Sequence, residues 1–273
     1  IWPGAIVKRV ASRLNIKIHS ERFRDPAKAM KALDDVLAQG KPVGMLGSVF
    51  YLPYLPEAFR FHFNAHNFVA YGKKGRDYLI SDPVMEIVTK IALEDLVKAR
   101  FAKGTPEPKG FMYYVTETPK EMDMRKAIEK GIKQMCYFMM APPIPWFGNK
   151  GIFLLAKQIK NYPKKLEPRR ASLYLGNVIR MQEEIGTGGA GFRYLYAAFL
   201  QEAGQLLKNE ELLKFSEELT KIGDNWRNFA YRAARIMKDR KSELVSFDEL
   251  SDMLKQCGTD EKALFLRLQK IKL

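Results

Sequence analysis

The 273-residue chain is poor in the residues from which many catalytic centres are built: it has two cysteines and three histidines. Cys136 and Cys257 lie far apart, in stretches that read as helix, so a disulfide framework is not expected. A reducing, cytoplasmic compartment is the natural setting for such a chain. No His or Cys spacing has the form of a zinc site, so neither a metal nor another cofactor is expected. No apolar run approaches the ~20 residues that span a bilayer. The longest, from Met135 to Ile144, is broken by Pro142, Pro143 and Pro145. Internal repeats are lacking, and so is the Gly-Lys-Ser/Thr ending of a nucleotide-binding loop. The chain opens on Ile1-Trp2-Pro3-Gly4, without a methionine or a signal-peptide pattern, and an N-terminal segment is expected to be missing from it.

What is present is apolar residue and positive charge. Hydrophobic residues make up 47% of the chain, enough for a core in one large or two small domains. The formal net charge is +15. It suits an acidic partner, such as a carrier protein, a nucleic acid or a membrane surface, and a strongly solvated surface accounts for it equally well. No nucleic-acid motif accompanies the charge, so nucleic acid is not the expected partner. Residues 119–181 carry 13 Lys or Arg against 4 Asp or Glu, which places much of the excess in one region.

Periodicity divides the chain in two. Helical spacing covers 5–14 and 26–39, the latter opened by Asp25-Pro26 and ended by Gly40. Short strands are expected at 16–19, 42–51, 66–71, 77–81, 86–91 and 111–115, with a helix at 93–100. Residues 1–117 therefore predict an α/β unit with an antiparallel sheet. After Thr118-Pro119 the pattern is helical almost throughout, with helices over 119–139, 148–159, 169–185, 190–207, 209–221, 223–239 and 246–270. The fold class is α+β, an antiparallel-sheet domain at 1–117 followed by a mostly α-helical domain at 118–273.

The stretch from His62 to Gly72 and the Ser81-Asp82-Pro83 that follows it hold the most chemistry. His66 opens one strand and Asp82 closes its hairpin neighbour, so the topology can bring an imidazole to a carboxylate. Such a pair fixes the imidazole tautomer and leaves the second ring nitrogen as a base. His62 is a rival for the same role, and His19 is isolated. On spacing alone, an inert histidine at a strand start and an ordinary Asp-Pro turn are the commoner case.

Gly40-Lys41-Pro42-Val43, Tyr51-Leu52-Pro53-Tyr54, His66-Asn67-Phe68-Val69-Ala70-Tyr71-Gly72 and Ile80-Ser81-Asp82-Pro83 together resemble the N-terminal domain of the butirosin-biosynthesis H protein family. The run from Glu183 to Leu200, with its Gly-Thr-Gly-Gly segment, and Asp224-Asn225-Trp226 resemble the uncharacterised helical domain that often follows it. The resemblance implies a papain-like fold with a Cys-His-Asp site, in which His66 matches the family's histidine and Asp82 its acidic partner. It implies acyl transfer from a thioester, held on an acidic acyl carrier protein, to a small-molecule amine acceptor. The family's cysteine lies upstream of the matched residues. Neither Cys136 nor Cys257 corresponds to it, so no thiol chemistry is expected of this chain as it stands.

Tyr51, Tyr54 and Asn64, on the approach to His66, are expected substrate contacts, as are Thr187, Gly188, Gly189 and Arg193 around the glycine-rich segment. That segment can cradle an anion at the start of the next helix, or simply link two helices with Thr187 as a cap. Arg193 can bind a carboxylate or phosphate, or pair with Glu183 or Glu184. Two functions stay open: a papain-like acyltransferase or amide hydrolase, and a non-catalytic binding protein on the same fold. A charge-driven surface binder is the weaker third.

Overall fold

A computed structural model describes residues 4–184, 187–237 and 245–273. Ile1 to Pro3, Gly186 and the last two residues of the helix expected over 223–239 lie outside the described residues. The chain forms two compact units, Ile1–Asp123 and Met124–Leu273.

The first unit is built on a six-stranded, wholly antiparallel sheet: β1 (Lys17–Glu21), β2 (Val43–Gly47), β3 (His66–Lys74), β4 (Asp77–Ser81), β5 (Thr89–Ala92) and β6 (Met112–Glu117). Its spatial order is β1-β6-β2-β3-β4-β5, so the last strand in sequence is inserted between the first two. Helices α1 (Ala5–Leu14), α2 (Pro26–Leu37) and α3 (Leu93–Arg100) complete the unit. Asp25 caps α2 by accepting from the N–H groups of Ala27 and Lys28. Strand β2 is buried at every position, as its unbroken apolar run requires. The core joins Met30, Leu33 and Val36 of α2 to Val43, Met45, Phe68, Ala70 and Ile80 of the sheet, and to Leu96 and Ala99 of α3. Full burial of a side chain such as Phe68 is worth about 1.5–3 kcal/mol. Gly44 is small because the Tyr113 ring lies against it: a Cβ there would sit 2.2 Å from a ring carbon.

Arg100 ends α3 fully buried, with no carboxylate among its hydrogen-bond partners. Its guanidinium donates to the carbonyls of Ala29 and Gly110 at 3.2 and 2.9 Å, tying α2 to the approach to β6. Burial pulls its pKa down to about 10, so the group still carries its charge at neutral pH.

The β3–β4 hairpin turns on two residues, Gly75 and Arg76, because Lys74 pairs with Asp77. The sequence pattern suggests a longer connection, but β3 continues through Gly72 and Lys73, with an irregularity between Ala70 and Gly72.

The second unit is helical: α4 (Met124–Met140), α5 (Gly148–Lys165), α6 (Pro168–Glu183), α7 (Arg193–Leu207), α8 (Glu210–Met237) and α9 (Phe247–Leu268). One expected break moves and another does not occur. Pro163 lies inside α5, close to its end, and Gly223 lies inside α8, where a Cβ would meet the Tyr194 ring at 2.8 Å. Gly223 thus permits a close approach of α7 rather than a turn. Ser246 and Glu249 form a capping box that starts α9. No helix among the described residues is long and apolar enough to cross a membrane.

Candidate functional site

The pairing of Val69 with Ser81 brings the residue after β4 alongside the start of β3. His66 Nε2 lies 2.7 Å from Asp82 Oδ2. The Asp82 side chain has no solvent exposure and that of His66 only 11%, so little water competes for the contact. Asp82 accepts two further hydrogen bonds: the Tyr54 hydroxyl donates to Oδ2 at 2.8 Å, and the Val84 N–H donates to Oδ1 at 2.9 Å. Burial alone would raise the carboxyl's pKa. The bonds from His66, the Val84 N–H and Tyr54 outweigh it, and Asp82 titrates below its ordinary value. It is therefore ionised at neutral pH and can only accept. It follows that Nε2 of neutral His66 carries the proton and that Nδ1 holds the free lone pair.

Tyr54 is set by its neighbours. Leu52 and Leu55 are buried on either side of Pro53-Tyr54 in the β2–β3 connection. Its phenol is pushed well above the usual range by burial, then by the adjacent Asp82 charge, and so remains a donor. Asn64 Nδ2 donates to the Lys103 carbonyl at 3.0 Å. Asn64 Oδ1 is buried with no partner among the described residues, as is the hydroxyl of Ser48. Ser48 follows Gly47, the residue paired with His66 across the β2–β3 ladder. Nothing in Gly47-Ser48-Val49 marks this serine in the sequence, and the Val84 N–H is likewise a backbone group that no side-chain pattern reports.

Tyr51 is half-buried and lies edge-on to Phe50. His62 stacks on the other partner of that ring pair, Phe50, with centroids 4.2 Å apart. His19 lies 3.7 Å from Glu21. Of the three histidines, His66 alone has a fully buried carboxylate against its ring.

Thr187, Gly188, Gly189 and Arg193 belong to the helical unit. Thr187 donates to the Gln182 carbonyl at 2.5 Å and accepts from the Gly189 N–H at 3.3 Å, which closes off the end of α6. The Ala190 N–H donates to the Glu183 carboxylate, so this loop amide is already held by an internal anion. Arg193 pairs with neither Glu183 nor Glu184. It donates through Nε and Nη2 to the two oxygens of Glu261, at 2.8 and 3.2 Å, and stacks over Trp226. Trp226 Nε1 donates to the same carboxylate at 2.6 Å.

Both cysteines are buried in the core of the helical unit. Burial raises the Cys136 thiol to about 11 and the Cys257 thiol to about 12, so neither forms an appreciable thiolate near neutral pH. Among the described residues there is no group of three or more metal-ligating side chains.

Residues 94–268 match the family described as a domain of unknown function, DUF4872, and residues 2–83 match the N-terminal domain of butirosin biosynthesis protein H. The chain belongs to the DUF4872 family, with a butirosin-H-type N-terminal domain ahead of it. His66 and Asp82 both fall in the N-terminal match. The DUF4872 match begins within α3 and so takes in β6, a strand that sits between β1 and β2. The division between the two matches therefore runs through the sheet unit. No curated protein matches the chain.

Proposed function

We propose that His66 and Asp82 are the acid–base half of a papain-like acyl-transfer site, acting on an acyl thioester or amide, with a small-molecule amine or water as acceptor. The observation that carries this reading is the 2.7 Å contact between His66 Nε2 and a fully buried, ionised Asp82, which leaves Nδ1 as a base. The match of residues 2–83 to the N-terminal domain of butirosin biosynthesis protein H supports it. In the simplest course the amine nitrogen attacks the thioester carbonyl carbon while Nδ1 takes its proton. The imidazolium that forms is stabilised by Asp82. The tetrahedral intermediate then expels the thiol, which leaves with the proton that His66 returns. If a thiol nucleophile takes part, Nδ1 removes its proton first and an acyl-enzyme precedes the amide. Cys136 and Cys257 do not suit that role. Asn64 Oδ1, buried and without a partner among the described residues, can accept an N–H of the substrate only if the loop around it opens. An acidic acyl carrier protein is a donor consistent with the net charge of +15.

The buried thiols favour a second reading, a binding protein that keeps the fold without the reaction. Incubation with an acyl thioester and a primary amine separates the two. Amide formation that requires His66 supports transfer. Saturable binding with no product, unchanged by His66→Ala, supports the binding protein.

A further inference from the structure

Tyr54 is expected from the sequence as a substrate contact, yet its hydroxyl points at the carboxylate behind the histidine. We infer that Tyr54 is a positioning residue: its O–H, donated to Asp82 Oδ2 at 2.8 Å, fixes the carboxylate orientation that holds His66 with Nδ1 free. The inference deepens the acid–base reading of His66 and rests on it for any effect on turnover.

Three features support it. First, Tyr54 and His66 share one oxygen. Asp82 Oδ1 is already taken by the Val84 N–H, so the carboxylate is gripped at both ends and cannot rotate without losing a bond. Second, an ionised carboxylate admits only donors, so the phenol commits its one proton to Oδ2. Third, Tyr54 is held between buried Leu52 and Leu55, in a connection whose two prolines, Pro53 and Pro56, restrict its backbone. The titratable groups that act on Asp82 are His66 from β3, by hydrogen bond and charge, and Tyr54 from the β2–β3 connection, by its hydrogen bond.

A role at the substrate surface alone would leave the carboxylate unaffected by loss of the hydroxyl, so the two assignments differ in a measurable way. The test uses the full chain, isotopically labelled, as wild type and as Tyr54→Phe. Long-range proton–nitrogen correlation reads the His66 tautomer, and carbon-detected titration reads the Asp82 midpoint. In the wild type His66 is held as the Nε2–H tautomer. In Tyr54→Phe the Asp82 midpoint rises by about one pH unit, the scale of one hydrogen bond to a charged group. Asp82 stays ionised at neutral pH, but without the Tyr54 bond its Oδ2 can turn away from the imidazole, and the Nδ1–H tautomer of His66 becomes detectable. Where turnover is measurable, kcat falls about tenfold, in step with the lost tautomer, and KM changes less than about twofold. An unchanged Asp82 midpoint with an unchanged tautomer overturns the inference, as does a rise in KM alone.

These spectroscopic readouts need no substrate. A wild type that shows no acyl transfer would refute the proposed function and leave the positioning role standing. If Tyr54→Phe does not fold, the wild type still decides. A slowly exchanging Tyr54 hydroxyl proton with a magnetisation-transfer contact to His66 Hε2 supports the inference, and a freely exchanging hydroxyl overturns it.

Discussion

Replacing Asp82 with asparagine keeps the shape of the side chain and reverses the polarity of one end. Oδ1 can still accept from the Val84 N–H. The position of Oδ2 becomes an NH2 group that faces two donors, the Tyr54 hydroxyl and the His66 Nε2–H. The least costly repair is for His66 to move its proton to Nδ1, so that Nε2 accepts from the new amide. That repair removes the free lone pair on which the proposed chemistry depends. A wrongly held tautomer of this kind costs about 10³–10⁴-fold in kcat in triad enzymes, and a loss on that scale is expected here. Hydrogen bonds to a charged group contribute about 1.5–3 kcal/mol each; with two disturbed and one partly recovered, the fold should lose about 2–4 kcal/mol at pH 7. Because the folded Asp82 carboxyl lies below its ordinary value, its contribution is complete above the unfolded value, near pH 4. It fades as pH falls through the folded midpoint. The stability gap between wild type and Asp82→Asn, followed by denaturant titration, should be wide at pH 6–7 and narrow as pH falls below 4. Equal stability at pH 7 together with an unaltered His66 tautomer would refute the reasoning.

Other consequences are open to direct measurement. Both thiols should resist alkylation at pH 7.5 in the folded chain and react only in denaturant, since each is buried with a raised pKa. Mass spectrometry of the alkylated protein counts them. Glu261→Ala should destabilise the helical unit by about 3–5 kcal/mol, because it strands the Arg193 guanidinium and the Trp226 N–H beside a buried gap. Glu261→Gln should cost less, and thermal unfolding of the two variants ranks them.

Much of the sheet unit is legible in the sequence where short-range pattern decides the outcome. Helices over 5–14 and 93–100 keep the bounds that their periodicity suggests. The strand from His66 and the strand ending at Ser81 follow from alternation around a Gly-rich turn. The alignment of His66 with Asp82 follows from that hairpin. What escapes the sequence depends on distant partners. Leu52-Pro53-Tyr54-Leu55-Pro56 gives no sign that its tyrosine will reach Asp82, since only the folded connection brings them together. Arg193 has Glu183 and Glu184 close by in sequence, yet its carboxylate comes from α9, where Glu261 is buried against Trp226. Gly223 reads as a helix end because glycine is a poor helix former. It is instead a contact point for a ring, and α8 runs through it.

The central claim is that His66 serves as the base in acyl transfer. It is tested most directly by mixing the full-length protein with an acyl thioester and a primary amine and following the amide by mass spectrometry. Wild type should form amide and release thiol in equal amounts, and His66→Ala should slow both by about 10²–10⁴-fold. Amide formation at the same rate in His66→Ala, or none with wild type across a panel of acyl groups and amines, would contradict it.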